Sequence, residues 1–364
     1  MNIVSKIPNN RITETQYRTI KDRLSYSSIK TYDDSPLDFY KEHILLQPTK
    51  REKSKDMIIG DGVDCLLLQG EEVFHEKFEI AAIGEIKKDQ NQMTTFSHNL
   101  WDLTLEAMDE EGIITREFEH LLSDAYDRTK YGYNGEQLAF KRAGDTLEAI
   151  INKFYGSDCE IWYNQKRKTL HKTVLSLSDV ENIEKIIGAL KSAPEVSDII
   201  NQQTEGDIEV HNQFAILFEL HNLPLKCLLD KVIIDHKKKI IYPYDLKCTW
   251  DINSFEYTYL KYKYYIQNYV YTTGLNIWRV EHRPGYKVAD FQFIVAHSAN
   301  LYQPMIYKTD QTDYLKARTG FNCGSKAYKG VDRLLQEMKY SIDNSSWNTA
   351  PLGKQIVDLQ INYR

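Results

Sequence analysis

Asp230 and, fifteen residues later, Asp245-Leu246-Lys247 supply two carboxylates and an amine at a spacing that one β-hairpin can bring together. Carboxylate oxygens are the ligands that hard divalent cations such as Mg²⁺ select, and a lysine beside them can orient or activate a water next to a phosphate. Alternation along a strand puts Asp245 and Lys247 on one face and predicts Leu246 buried on the other. An Asp and a Lys two apart on a strand are common, so the pair carries weight only in its context.

That context is a change of character at Asp207. The segments 209–218, 225–234 and 240–248 read as strands, joined by the short polar turns 219–224 and 235–239 that suit consecutive hairpins. A helix is expected from 253 to 273, ending at Gly274. Further strands are expected over 290–296 and 301–306, and a last amphipathic helix over 325–340. Upstream, residues 1–24 show no sustained period and read as an arm. Serine caps predict helices from Ser27 and from Ser35-Pro36 to Leu46, Lys50 to Lys55 reads as a basic linker, and 57–68 has the apolar spacing of a buried helix. The stretch 95–155 is helical in pattern, Ile161 to Lys168 reads as a hairpin, and 177–200 as one helix opened by Ser178. Three strands, a helix and a returning strand predict an α/β core, with helices before it as a lobe or insertion.

Placed on these elements, Pro243-Tyr-Asp-Leu-Lys-Cys-Thr249 together with Asp230 resembles the metal-dependent PD-(D/E)XK nuclease superfamily. Gln267 and Tyr271, four apart on the following helix, are similar to the Gln-x-x-x-Tyr helix of its RecB-like branch. The stretch from Leu24 to Tyr40 is similar to the N-terminal helices of RecE-type exonucleases (exodeoxyribonuclease VIII-like). Gly60-Asp-Gly-Val-Asp64 resembles the family's Gly-x-x-x-His helix with Asp64 at the histidine position. The resemblance covers 24–70 and 205–347 and implies a restriction-endonuclease-like core, with a central mixed β-sheet flanked by helices and a helical insertion. The expected organisation is 1–70 as arm and helices contributing to that core, 71–204 as insertion or lobe, 205–350 as core and 351–364 as tail.

The same resemblance implies hydrolysis of DNA phosphodiester bonds, with Mg²⁺ or Mn²⁺ held by Asp230, Asp245 and the main-chain carbonyl of Leu246. Asp64 is a further ligand that competes with Asp61 on the same helix face, and Glu209 is an additional acidic candidate; a helix-surface carboxylate and a strand-end glutamate are the alternatives. Lys247 orients or deprotonates the attacking water. Phe255, Tyr259, Tyr262, Ile266 and Val270 form an apolar stripe, which leaves Gln267 and Tyr271 to face DNA. Implied partners are linear double-stranded DNA ends, an annealing protein of the RecT type and further copies of the chain, in a phage or prophage setting. A structure-specific or restriction-type endonuclease and an inactive DNA-binding protein on the same fold remain alternatives.

Composition sets the outer limits. The 364 residues are 42% hydrophobic and 27% charged, as in ordinary globular proteins. No apolar run approaches the ~20 residues of a bilayer span and the start lacks a secretory h-region, so a cytoplasmic protein with no membrane partner is expected. Five scattered cysteines, with only Cys323 near the C-terminal end, argue against the iron–sulfur cluster of related nucleases. No G-x-x-x-x-G-K-[ST] run is present, so no ATP-binding helicase is expected within the chain. The net charge of −6 is unfavourable for a nucleic-acid partner. A DNA surface therefore has to be local, and Lys50 to Lys55, Lys237 to Lys239, Lys261 and Lys263 are the candidates, Lys238 and Lys263 foremost.

Overall fold

Short polar side chains set the N-terminal helices in the computed structural model, which describes residues 12–47, 53–81, 83, 84, 86, 92–109, 113–130, 146–170 and 172–347. Thr13 and Gln16 cap α1 (Glu14–Thr19) reciprocally, so part of the expected arm is helical. Ser25 precedes α2 (Tyr26–Asp34), and Ser35 and Pro36 open α3 (Pro36–Phe39), which runs into a π-helical turn, Tyr40–Ile44. Ser54 caps α4 (Lys55–Leu68). Half of the basic linker, residues 50–52, and all of the tail 351–364 lie outside the described residues.

The chain divides into two compact units, Glu71–Asn182 and the remainder, Met1–Gly70 with Ile183–Arg364. The first holds α5 (Glu71–Lys77), β1 (Phe78–Ile80), α6 (Gln92–Glu106), α7 (Phe118–Lys130), α8 (Leu147–Phe154), α9 (Asp158–Lys168) and β2 (Thr173–Leu175). The hairpin expected over 161–168 is α9. Ser157 caps it, Cys159, Trp162 and Tyr163 are buried at helical spacing, and Lys166, Arg167 and Lys168 sit in its last turn, where cations favour a helix.

The single helix expected over 177–200 is two, α10 (Leu177–Ser192) and α11 (Val196–Ile200). Between them Pro194 lacks an N–H and Glu195 takes a left-handed φ of 65°. Ser176, rather than Ser178, caps the start, accepting the Asp179 N–H at 3.2 Å.

Branched and aromatic residues draw 208–249 into three long strands, β3 (Ile208–Leu220), β4 (Leu223–Asp235) and β5 (Ile240–Thr249). The β3–β4 turn is only His221-Asn222, with φ of 52° and 59°, the backbone that tight hairpins require. There follow α12 (Phe255–Lys261), α13 (Tyr264–His282), β6 (Lys287–Val288), β7 (Gln292–His297), β8 (Met305–Lys308), α14 (Gln311–Thr319), β9 (Gly320–Cys323), β10 (Lys326–Lys329) and α15 (Val331–Asn344). The expected helix 253–273 is thus broken at Lys263 (φ 57°) and continues past Gly274 to His282. The expected strand 301–306 forms only from Met305, and the start of the expected last helix is strand β10.

The mixed sheet has the order β3-β4-β5-β7-β8, with β6 also beside β5. Helices flank it, as the α/β reading expects. β3, β4 and β5 are antiparallel, whereas β5 and β7 run parallel. β4 pairs with β5 only from Asp235–Ile240 to Lys231–Tyr244. Beyond that point β5 keeps β7 as its partner and the β4–β5 ladder stops, so the sheet opens at Asp230 and Asp245.

The core is Phe214, Ile216, Leu225, Cys227, Leu229, Phe293 and their neighbours, packed against Ile266, Val270 and Leu275 of α13. Gly274 is a contact point: a Cβ there would meet Phe218 Cε1 at 2.7 Å. At Gly188 in α10 a Cβ would meet nothing within 4 Å among the described residues. Gly274→Ala is expected to lower stability by about 1–3 kcal/mol through overpacking. Gly188→Ala should raise it by about 0.5–1 kcal/mol through helix propensity. Thermal melts of the two variants check the pair; opposite signs are the expected outcome.

Candidate active site

Where β4 and β5 part, a cleft of about 580 Å³ is lined by Asp64, Gln213, Asp230, Asp245, Leu246, Lys247, Gln267 and Tyr271. Asp245 is 2% exposed, with Gln267 Nε2 donating to its Oδ1 at 2.5 Å and the Lys247 ammonium against its Oδ2. Lys247 Nζ also lies 4.9 Å from the centre of the Tyr264 ring and 3.4 Å from the Leu246 carbonyl oxygen. Asp230 accepts the Leu246 N–H through Oδ2 at 2.7 Å, satisfying a backbone donor on the side of β5 that β4 has left.

Asp64 enters from α4. That helix comes close to β5 at Gly60, where a Cβ would stand 3.3 Å from Cys248 Cβ. Gln213 Nε2 reaches Asp64 Oδ2 at 3.3 Å and Asp230 Oδ1 at 3.5 Å. Asp64 Oδ1 is buried without a hydrogen-bond partner among the described residues.

Three carboxylates thus share one ammonium. Burial, reinforced by Asp245, pushes the Asp64 carboxyl up to about 7. Burial and the charges of Asp245 and Asp64 hold Asp230 well above the carboxylate range, against the pull of Lys247 and the Leu246 N–H. For Lys247 burial works downward, but Asp245, Tyr264 and Asp230 outweigh it and raise its pKa. As the side chains stand, no three His, Cys, Asp or Glu among the described residues form a metal cage. Asp245 is occupied by Gln267 and Lys247, and Asp230 by Leu246 and Gln213. A dication could nevertheless replace the protons that Asp64 and Asp230 tend to hold, and with the Asp64 Oδ1 that has no partner among the described residues this donor set fits a small oxygen-seeking ion. To admit one, the ammonium must withdraw from Asp245.

Several expected site residues sit elsewhere or face another way. Gln267 and Tyr271 are buried in the cleft wall rather than turned outward, because the sheet opening draws Gln267 onto Asp245. Leu246 is half-buried, not part of the core. Tyr262, expected in the apolar stripe, is exposed at the α12–α13 break. Glu209 does not line the cleft: Arg283 Nη2 and His236 Nε2 each stand 3.0 Å from its Oε2, and His211 Nε2 2.6 Å from its Oε1. Lys263 is committed to Asp33 and Asp34, Lys238 to Asp235 at 3.0 Å, and Asp61 to Lys53 at 2.6 Å.

The basic rim comes instead from residues that, by sequence pattern, belong to a featureless arm. Arg18, Lys21 and Arg23 line the cleft together with Lys226, beside Glu14, which accepts from Arg18 Nε at 2.7 Å, and beside Asp56 and Asp61. The segment is fastened to the sheet by Leu24, whose N–H donates to the Pro224 carbonyl at 2.9 Å and whose carbonyl accepts the Lys226 N–H at 2.7 Å. Lys226 Nζ donates to the carbonyls of Tyr17 (2.9 Å) and Ile20 (2.5 Å), and burial lowers its pKa to about 8. Arg23 Nη1 donates to the Phe218 and Leu225 carbonyls at 3.2 and 3.4 Å.

No protein-family model matches the chain, and no curated protein matches it. Among solved structures it is similar to a protein from Eubacterium rectale described as a "putative exonuclease", with 13% identity and a TM-score of 0.44 over 92% of this chain and 85% of that one. Among the described residues no helix is long and apolar enough to cross a membrane.

A carboxyl whose pKa is higher folded than unfolded stabilises the fold below its unfolded value and loses that contribution as pH rises through the folded value. Asp64, ordinarily at 3.8 and here about 7, therefore makes the metal-free protein less stable between pH 4 and 7. Asp64→Asn should flatten that part of the Tm–pH curve and raise Tm at pH 8. Superimposable wild-type and variant curves would contradict the assignment.

Proposed function

We propose that the chain is a metal-dependent deoxyribonuclease that hydrolyses DNA phosphodiester bonds. The observation that carries the reading is the trio Asp64, Asp230 and Asp245 around Lys247, Asp245 buried and the other two half-buried, in a cleft that Arg18, Lys21 and Arg23 also line. An acidic floor beneath a basic rim suits a phosphodiester: the rim takes the flanking phosphates and the floor takes the ion that the scissile one needs.

Asp230, Asp245, Asp64 and the Leu246 carbonyl would hold Mg²⁺ or Mn²⁺. When bound, the ion supplies Lewis-acid polarisation of the phosphoryl group and of the leaving oxygen. The chain's own contribution is positional. Asp245 keeps Lys247 protonated, so the ammonium acts as a donor that orients the attacking water and balances charge building on the phosphate. Gln267 fixes Asp245 through Oδ1, and the Leu246 N–H fixes Asp230 through Oδ2, so neither carboxylate is free to turn. Burial of Gln267 and Tyr271 makes them part of the wall that shapes this floor.

The finer reading is an ATP-independent exonuclease acting on ends of linear duplex DNA. It would hand single strands to a RecT-type annealing protein and work as a homo-oligomer. Its support is the likeness of 24–40, 60–70 and Gln267/Tyr271 to RecE-type and RecB-like nucleases. Digestion of end-labelled linear duplex beside a closed circle tests it: loss of the linear form alone is expected, and efficient cutting of the circle would assign an endonuclease.

Two variants test the site. Lys247→Ala should bind duplex DNA within a few-fold of wild type yet cut it about 10²–10³ times more slowly. Mg²⁺ at ~100 times its Kd should stabilise the wild type by about 2.7 kcal/mol, seen as a rise in Tm. Asp230→Asn/Asp245→Asn should show no such rise; an equal rise would place ion binding elsewhere.

A further inference from the structure

Gln213 is in the left-handed region, φ 53°, in the middle of a thirteen-residue strand. Side chains other than glycine avoid that conformation, and a strand interior offers no turn to explain it. The β3–β4 ladder pairs Asn212 with Lys231 and Phe214 with Leu229, and skips Gln213 opposite Asp230. The alternation of β4 changes phase at the same place: Leu225, Cys227 and Leu229 enter the core before Asp230, and Val232 and Ile234 after it. The kink therefore sits at the carboxylate, and it aims the Gln213 amide between Asp64 and Asp230.

We propose that Gln213 is a positioning residue, a neutral strut that holds the carboxylate of helix α4 and that of strand β4 at one shared ion. This rests on the ion-dependent reading of the site and deepens it. The chemistry favours an amide here. One NH₂ group carries two hydrogens and serves both carboxylates. Being uncharged, it leaves both carboxylates available to a dication; a lysine would compete with the ion for them and a glutamate would add repulsion. The left-handed backbone is the cost of directing that group out of the ladder.

The test uses the full chain and two variants. Gln213→Gly removes the amide and relaxes the backbone, while Gln213→Met keeps side-chain length and backbone strain without the donor. Titration calorimetry with Mn²⁺ on metal-free protein should show affinity about tenfold or more weaker in both variants, the usual scale for partners of metal ligands. The metal-free Tm of the glycine variant should equal or exceed that of wild type, since glycine accepts this φ. On linear duplex DNA kcat should fall with KM unchanged.

Wild-type Mn²⁺ affinity in both variants would overturn the strut. So would a loss of affinity that appears only alongside a drop in Tm in both, which marks Gln213 as merely structural. The outcomes separate from those of the nuclease reading. A wild type that binds no Mn²⁺ and cuts no DNA sinks that reading, whereas a wild type that does both, beside unimpaired variants, sinks the strut alone.

Discussion

Three carboxylates gathered around a single ammonium, with Asp245 buried and Asp64 and Asp230 half-buried, are the constraint on which the rest of this structure depends. Removing such charge from water is costly unless it is paired or neutralised, and Lys247 can offset only one of the three. The remainder is distributed: the Leu246 N–H and the Gln213 amide serve Asp230, Gln267 serves Asp245, and Asp64 keeps one oxygen without a partner among the described residues. Burial answers the residual repulsion by pushing the Asp64 and Asp230 carboxyls toward their protonated forms. A fold that needed only stability would fill this place with apolar side chains. That it holds acids on three separate elements is intelligible if they are kept for a cation.

The surrounding elements follow from that demand. The sheet must open between β4 and β5 to admit the group, and the parallel partner β7 keeps β5 paired while it does so. Helix α13 lies close enough to place Gln267 because Gly274 lets it approach Phe218, and α4 places Asp64 because Gly60 lets it approach Cys248. The N-terminal segment is tied down through Leu24, Arg23 and Lys226, and this brings its cations to the rim. A net charge of −6 is thus compatible with a phosphate-binding face, since part of the acid is held inside the cleft and the cations lie at its edge.

Strands β3 to β5 were legible because branched and aromatic runs are interrupted by short polar turns, and hairpin length brings Asp230 and Asp245 to the same end of the β4–β5 ladder, just past its last pair. What escaped the sequence was tertiary in origin. Lys263 looks like a phosphate ligand until Asp33 and Asp34 fold onto it, and Gln267 looks outward until the opened sheet offers it Asp245. Gly274 reads as a helix stop because glycine usually is one; here it serves close packing inside a helix. Arg23 and Lys226 carry no periodic signal, since a backbone bridge positions them, and Arg18 sits on a helix of only six residues, too short for a period to show. Gln213 did leave a trace: His211-Asn212-Gln213 is a polar run that breaks the alternation of an otherwise regular strand.

The most direct measurement is anomalous diffraction from a crystal of the full chain soaked in Mn²⁺. The account predicts a peak within ligand distance, about 2.1–2.3 Å, of oxygens from Asp230 and Asp245, with Lys247 withdrawn from Asp245. A fully soaked crystal with no peak in this cleft, or with its peak among Glu209, His211 and His236, would contradict it.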